Sequence, residues 1–279
     1  MSGDPVHGRA APKAGLDLLH ARVAFRDRSL SDVLDLALRF MAVHGRAYAK
    51  VALGSIVPLA GLSLLVGWKL GWAAAWAMSL PLALVAEIPF TVLASRLVFH
   101  HDVRARDVFR TALRDGPRVV LVRGVGAALV AIGMSILLVP GLWLATIFLF
   151  LGEVMLLERG SIGEAFARSQ RVASSAASEV FLGVLVLALV PAGSVLLADI
   201  AGRAVVGELL QFRPPLPLWV VGGGALATLG LFAQVPYLAT ARFFLYLNVR
   251  TRSEGWDIQT RFAAIAARAE NEARSSEAA

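Results

Sequence analysis

The chain has 279 residues, 57% of them hydrophobic and 17% charged, with a net charge of +7 and no cysteine. Soluble domains carry about 45–50% apolar and about 25% charged residues, so this balance excludes an ordinary soluble domain. The lack of cysteine excludes disulfides, thiolate metal sites and a cysteine nucleophile.

Residues 1–28 read as a polar, basic N-terminal tail with Gly and Pro, partly disordered, with a short amphipathic helix around Leu16–Val23. No apolar core of a cleavable signal occurs in the first 46 residues. An integral membrane domain is expected over 29–250. It opens with an amphipathic helix in which Leu34, Leu38 and Met41 share one stripe and Asp35 and Arg39 another, as a helix at the headgroup boundary requires.

Six spans follow, at 51–68, 70–98, 119–138, 142–157, 180–200 and 218–247, each close to the roughly 20 apolar residues that a crossing needs. Val51–Trp68 has no charge, Leu70–Val98 only Glu87 and Arg96, and Leu218–Leu247 only Arg242. Spans three and four are separated only by Val139–Gly141, with no polar loop. At about 1.5 Å per residue, 119–157 reaches roughly 58 Å, enough to cross a core about 30 Å thick twice. A re-entrant hairpin would also return both ends to one side; two full spans is the preferred reading. Glu153 lies near the inner end of span four. Its insertion cost of about 2.5–3.5 kcal/mol is outweighed by the surrounding Leu, Ile, Phe and Val, at about 0.3–0.6 kcal/mol each.

Of the 27 Lys and Arg, only Lys69, Arg203 and Arg213 lie in the three connections predicted to face outward. This positive-inside asymmetry places both termini in the cytoplasm and makes the chain a multi-pass protein of the inner (cytoplasmic) membrane. It also accounts for the net positive charge without nucleic acid. Trp68, Trp72, Trp76, Trp143 and Trp219 fall at or near the predicted outer ends, where amphipathic rings prefer the interface.

A threefold pattern runs through the domain. Asp32 and Arg39, Asp107 and Arg114, and Glu164 and Arg171 each bracket an apolar pair and a small residue, and each copy precedes two spans. The third has the capping-box form, Ser161 followed by Glu164. The expected fold is therefore all-α: six transmembrane helices as three hairpins, each preceded by a cytoplasmic interfacial amphipathic helix. The second helix of each hairpin carries a polar residue in its inner half: Glu87, Glu153 and Gln234. Residues 251–279 read as a cytoplasmic helix, with Ile258, Phe262 and Ile265 at helical spacing, and a solvated tail.

The stretch "PGLWLATIFLFLGEVMLLERGSIGEAFARSQRVA", Pro140 to Ala173, combines a Pro-Gly turn, an apolar span ending in Glu, and a helix bearing Arg168 and Ser169. With "SLSDVLDLALRFMAVHGRAYAKVAL" (29–53) and "ARFFLYLNVRTRSEGWDI" (241–258), it resembles the membrane domain often found with glycerophosphodiester phosphodiesterases, and the related YciC-like six-span bacterial proteins of unknown function. Gln170 and Trp256 depart from the Trp and Phe usual there. The resemblance implies the topology. The phosphodiesterase activity of fused members lies in a separate soluble barrel, whose "HRG" motif this chain lacks.

No catalytic constellation is visible. "VHGRA" occurs twice (6–10 and 43–47), in His-Gly-Arg order and in polar flanks, where a motif without its pocket is no site. Adjacent positions in "HHD" (His100–Asp102) diverge by about 100° on a helix, so they do not form a metal pair. "GGG" (Gly222–Gly224) lacks a phosphate-loop lysine and reads as close helix packing. No cofactor or metal is expected. The intramembrane charges Glu87, Glu153, Arg96, Arg123 and Arg242 carry the one sharp question, which is whether they pair with one another or line a pathway. The expected role is a non-enzymatic scaffold, anchor or accessory subunit at the cytoplasmic face, in contact with anionic lipid and a possible protein partner. The alternative is a transporter or lipid-handling protein with a Glu-lined cavity.

Overall fold

The computed structural model describes residues 28–100, 102–158 and 160–253. The sequence readings for Leu16–Val23, the first "VHGRA", His101, Trp256 and the C-terminal helix lie outside the described residues. Within them every regular element is helical: α1 (Leu30–Val43), α2 (Gly45–Leu70), α3 (Trp72–Phe99), α4 (Ala105–Ile136), α5 (Leu138–Phe148), α6 (Leu151–Glu158), α7 (Ile162–Ser175), α8 (Ala177–Ala204), α9 (Ala225–Ala233) and α10 (Val235–Ser253). A π-helical turn, Val205–Leu209, extends α8.

Five helical segments are long and apolar enough to cross a membrane: 45–70, 72–99, 105–136, 138–158 and 177–209. The sixth expected span differs. Residues 218–224 form turns, and the helix that starts at Ala225 is interrupted at Gln234. Pro236 has no N–H to donate to the carbonyl of Phe232, which weakens the ladder at that point. α10 also carries Arg242, Arg250 and Arg252, yet most of its residues are buried, from Val235 through Val249. The polar helix sits inside, against α1, α3, α7 and α8. The outward faces of α2, α4 and α8 are apolar, with Leu53, Leu65, Leu121, Ile132, Leu189 and Leu197 exposed. A chain immersed in hydrocarbon favours this arrangement, because charges gain partners only in the interior.

In α1 Val33, Ala37 and Phe40 are buried, Leu34 and Met41 are partly buried, Leu38 is 55% exposed, and Asp35 pairs with Arg39 at 2.8 Å. The Phe40 ring meets Phe244 of α10 edge-on, and that contact sets the rotation of α1. The second copy of the threefold pattern is not a separate helix, because α4 runs unbroken from Ala105 through Gly116 and Pro117 to Ile136. The turn between the third and fourth spans falls at Leu137, whose backbone is extended, and Val139–Gly141 belong to the first turn of α5. Pro140 is tolerated there because a first-turn N–H has no helical acceptor.

The first and third copies do start separate helices. Ser29 and Asp32 form a capping box on α1, and Ser161 and Glu164 form one on α7. The Glu164 carboxylate accepts from the Ser161 N–H at 2.7 Å, and the Ser161 backbone and side chain together hold its carboxyl below the ordinary carboxylate range. Its contribution to α7 is therefore complete above the unfolded value and is lost only as pH falls through the lower folded one. In detergent, Ser161→Ala should weaken α7 by about 1 kcal/mol, and Glu164→Gln should remove the acid-limb dependence. Hydrogen exchange of the α7 amides between pH 3 and 6 measures both; an unchanged acid limb in Glu164→Gln refutes the assignment.

Candidate functional site

Two helices break near the middle of the bundle, and both breaks place polar groups inside. α5 ends at Phe148 and α6 begins at Leu151, offset by a turn at 149–150. The Ser169 hydroxyl, buried on α7, donates to the Ile147 carbonyl at 2.7 Å, satisfying an acceptor at the end of α5. Phe148 meets Phe166 edge-on beside it. Arg168, one residue earlier, pairs with Glu158 at 3.1 Å. The Arg168–Ser169 pair in the third copy thus ties α7 to both halves of the broken span.

Beyond the break, α6 presents Glu153 to the centre. Arg242 on α10 donates from Nε to Glu153 Oε1 and from an Nη to Glu87 Oε2 on α3, each at 2.6 Å. Arg123 on α4 donates to the same Glu87 oxygen at 2.5 Å and points another Nη toward the Leu84 carbonyl at 3.5 Å. The Glu153 side chain is fully buried, those of Glu87 and Arg242 almost so, and that of Arg123 is 11% exposed. Two carboxylates and two guanidiniums therefore form a chain with no net charge that joins α3, α4, α6 and α10. Gly152 makes room for it, since a Cβ there would lie 2.9 Å from Arg123 Cδ. Glu153 Oε2 has no hydrogen-bond partner.

Geometry sorts the five candidate charges cleanly. Glu87, Glu153, Arg123 and Arg242 come together. Arg96 does not; its guanidinium donates to the Thr111 hydroxyl at 2.5 Å, between α3 and α4. Gln234, the polar residue of the third hairpin, is buried but stays out of the network, donating to the Leu231 carbonyl at 3.0 Å. Among the residues of the threefold pattern, Asp32 and Glu164 are caps, Asp107 sits in the first turn of α4, Arg39 pairs with Asp35, and Arg114 lies 3.8 Å from Asp115. Arg171 is exposed. None of these reaches the central network. No cluster of three or more His, Cys, Asp or Glu able to hold a metal exists among the described residues.

Protein-family models, curated proteins and solved structures give no match to this chain.

A second layer surrounds the basic end of α10. Glu158 accepts from the Tyr246 hydroxyl at 2.8 Å and lies 3.4 Å from Arg250, which itself donates to Tyr246 at 3.0 Å. Asn248 donates to Glu179 at 3.0 Å and to the Arg28 carbonyl at 3.1 Å, and Arg252 reaches Glu179 at 2.8 Å. Tyr48 of α2 bonds Thr240, which donates to the Pro236 carbonyl. At the opposite end, buried Asp199 accepts from the Leu218 N–H at 3.2 Å, and Arg203 donates to the Pro215 carbonyl. These two bonds pin the connection between α8 and α9. That connection ends in "GGG", which is not a helix-packing motif as expected. Gly222 and Gly224 have φ of +89° and +121°, a turn that favours glycine.

Sequence reasoning missed Glu158, Glu179 and Asp199. Asp199 carried the same signal as Glu153, a single acid inside an apolar run. Glu158 and Glu179 had no such mark, because each sits at a helix end beside other polar residues.

Proposed function

We propose that the chain is a non-enzymatic integral membrane protein that serves as a scaffold, anchor or accessory subunit at the cytoplasmic face of the cell membrane. In this reading the broken helix 225–253 is a sixth crossing, both termini are cytoplasmic, and α1 and α7 lie amphipathically at the inner interface. The observation that carries it is the closure of Glu87 and Glu153 on Arg123 and Arg242. A carboxylate that moves protons or cargo needs an open approach, whereas these are consumed in holding four helices together. The resemblance of Pro140–Ala173 to the six-span membrane-domain family supports the same topology, and Arg-rich helix ends suit contact with anionic lipid at about 1 kcal/mol per basic residue.

Purification from the native host in mild detergent, followed by protein and lipid mass spectrometry, tests the role. A stoichiometric protein partner that survives in the Glu87→Gln protein is the expected result. A lone protein carrying one enriched small molecule, lost on Glu153→Gln, would replace anchoring with the transport reading. That second reading has one specific feature in its favour, the unpartnered and fully buried Glu153 Oε2.

A further inference from the structure

A cleft of about 680 Å³ opens at the basic end of the bundle, between the corner joining α1 to α2 and the segment joining α3 to α4. Its rim carries His44, Arg46, Lys50 and Asp102, and its floor is apolar, with Leu93 and Leu97 among the lining residues. Arg46 and Lys50 lie one helical turn apart on α2, so both cations reach the same side. Neither has an ion-pair partner among the described residues, in contrast to Arg39, Arg123 and Arg242. His44, also on the rim, donates from Nδ1 to the Phe40 carbonyl at 2.9 Å, which fixes its ring at the corner between α1 and α2. Two cations able to donate to an oxyanion, Arg46 and Lys50, thus stand over a hydrocarbon floor, with one carboxylate beside them.

We infer that this cleft binds the phosphodiester headgroup of an anionic phospholipid. Arg46 and Lys50 take the phosphate oxygens, Asp102 accepts from a headgroup hydroxyl, and Leu93 and Leu97 receive the first part of the acyl region. Phosphate is the chemistry that the cations select; the apolar floor selects a lipid over a soluble phosphate. Among the described residues no Phe, Tyr or Trp lines the cleft. The inference does not depend on whether the chain anchors a partner, since binding is read on the purified protein.

The test uses the full chain in an uncharged detergent, titrated with phosphatidylglycerol, phosphatidylcholine and glycerol 3-phosphate while bound lipid is read by native mass spectrometry. Phosphatidylglycerol should bind saturably. The Arg46→Gln/Lys50→Gln protein should bind it roughly thirtyfold more weakly, two basic contacts at about 1 kcal/mol each. Arg106→Gln/Arg110→Gln removes the same charge from exposed positions outside the cleft and should change binding less than about threefold. Equal losses in the two double variants would overturn the site, leaving only diffuse surface attraction. Competition by glycerol 3-phosphate at concentrations matching the lipid would also overturn it, by assigning the cleft to a soluble phosphate. Unchanged melting of both variants without lipid is required for either comparison, and exposure of all four side chains predicts it.

Discussion

Arg242→Met should destabilise the protein by about 3–5 kcal/mol, the largest loss expected from any single polar substitution in the chain. Arg242 alone joins Glu153 to the rest of the network and shares Glu87 with Arg123. Its removal leaves the Glu153 carboxylate fully buried without its ion-pair partner, and both Glu153 oxygens then lack a donor. The double variant Arg242→Met/Glu153→Met should recover most of the loss, because Glu87 keeps Arg123 and the two new side chains fill comparable volume. Thermal melting of the detergent-solubilised proteins measures the series. If Arg242→Met lowers stability by less than about 1 kcal/mol, water reaches the site and the network is not a closed one.

The second large effect is steric. α9 approaches α8 so closely that a Cβ on Gly230 would lie 2.5 Å from the Ser194 carbonyl oxygen and 2.6 Å from the Ala198 Cβ. Ser194 also donates to the Gly230 carbonyl at 2.8 Å across this contact. Gly230→Leu should therefore force the helices apart, break that hydrogen bond and cost about 1–3 kcal/mol. Gly193→Leu, one residue from Ser194 on the exposed face of α8, meets nothing within 4 Å and should be nearly neutral. Equal melting temperatures for the two variants would show that α8 and α9 are not packed through Gly230.

Five apolar helices were legible from hydropathy alone, because Val51–Trp68 or Leu142–Leu157 has no other way to satisfy its backbone and its side chains. The partners within the network were harder to foresee. Glu87, Glu153, Arg123 and Arg242 were visible as charges in apolar runs, but nothing local distinguishes Arg242 from Arg96, which turned out to bond Thr111. The pairing depends on the rotation of each helix about its axis, and that rotation is set by contacts such as Phe40 on Phe244 and Phe150 on Tyr246. Helix breaks were also hidden. Pro236 marks the one at Gln234, whereas the break at 149–150 falls between Leu149 and Phe150, with neither Gly nor Pro at those positions. Its compensation, the Ser169 hydroxyl, comes from 22 residues away in sequence. In α4 the difference runs the other way: the second copy of the threefold pattern and the span after it, expected as two helices, join in one continuous helix through Gly116 and Pro117.

The burial of α10 has a consequence for biosynthesis. Arg242 follows Glu153 by 89 residues and Glu87 by 155, so both acids are translated and delivered to the bilayer before their shared cation exists. Arg123 can neutralise Glu87 as soon as α4 follows α3, and it also lies close to Glu153, but the hydrogen-bond donor of Glu153 in the network arrives only with Arg242. The α4–α6 segment therefore completes its hydrogen bonding only when the last helix arrives. A chain halted before residue 242 would hold an incomplete bundle in which the buried carboxylate of Glu153 still lacks its donor.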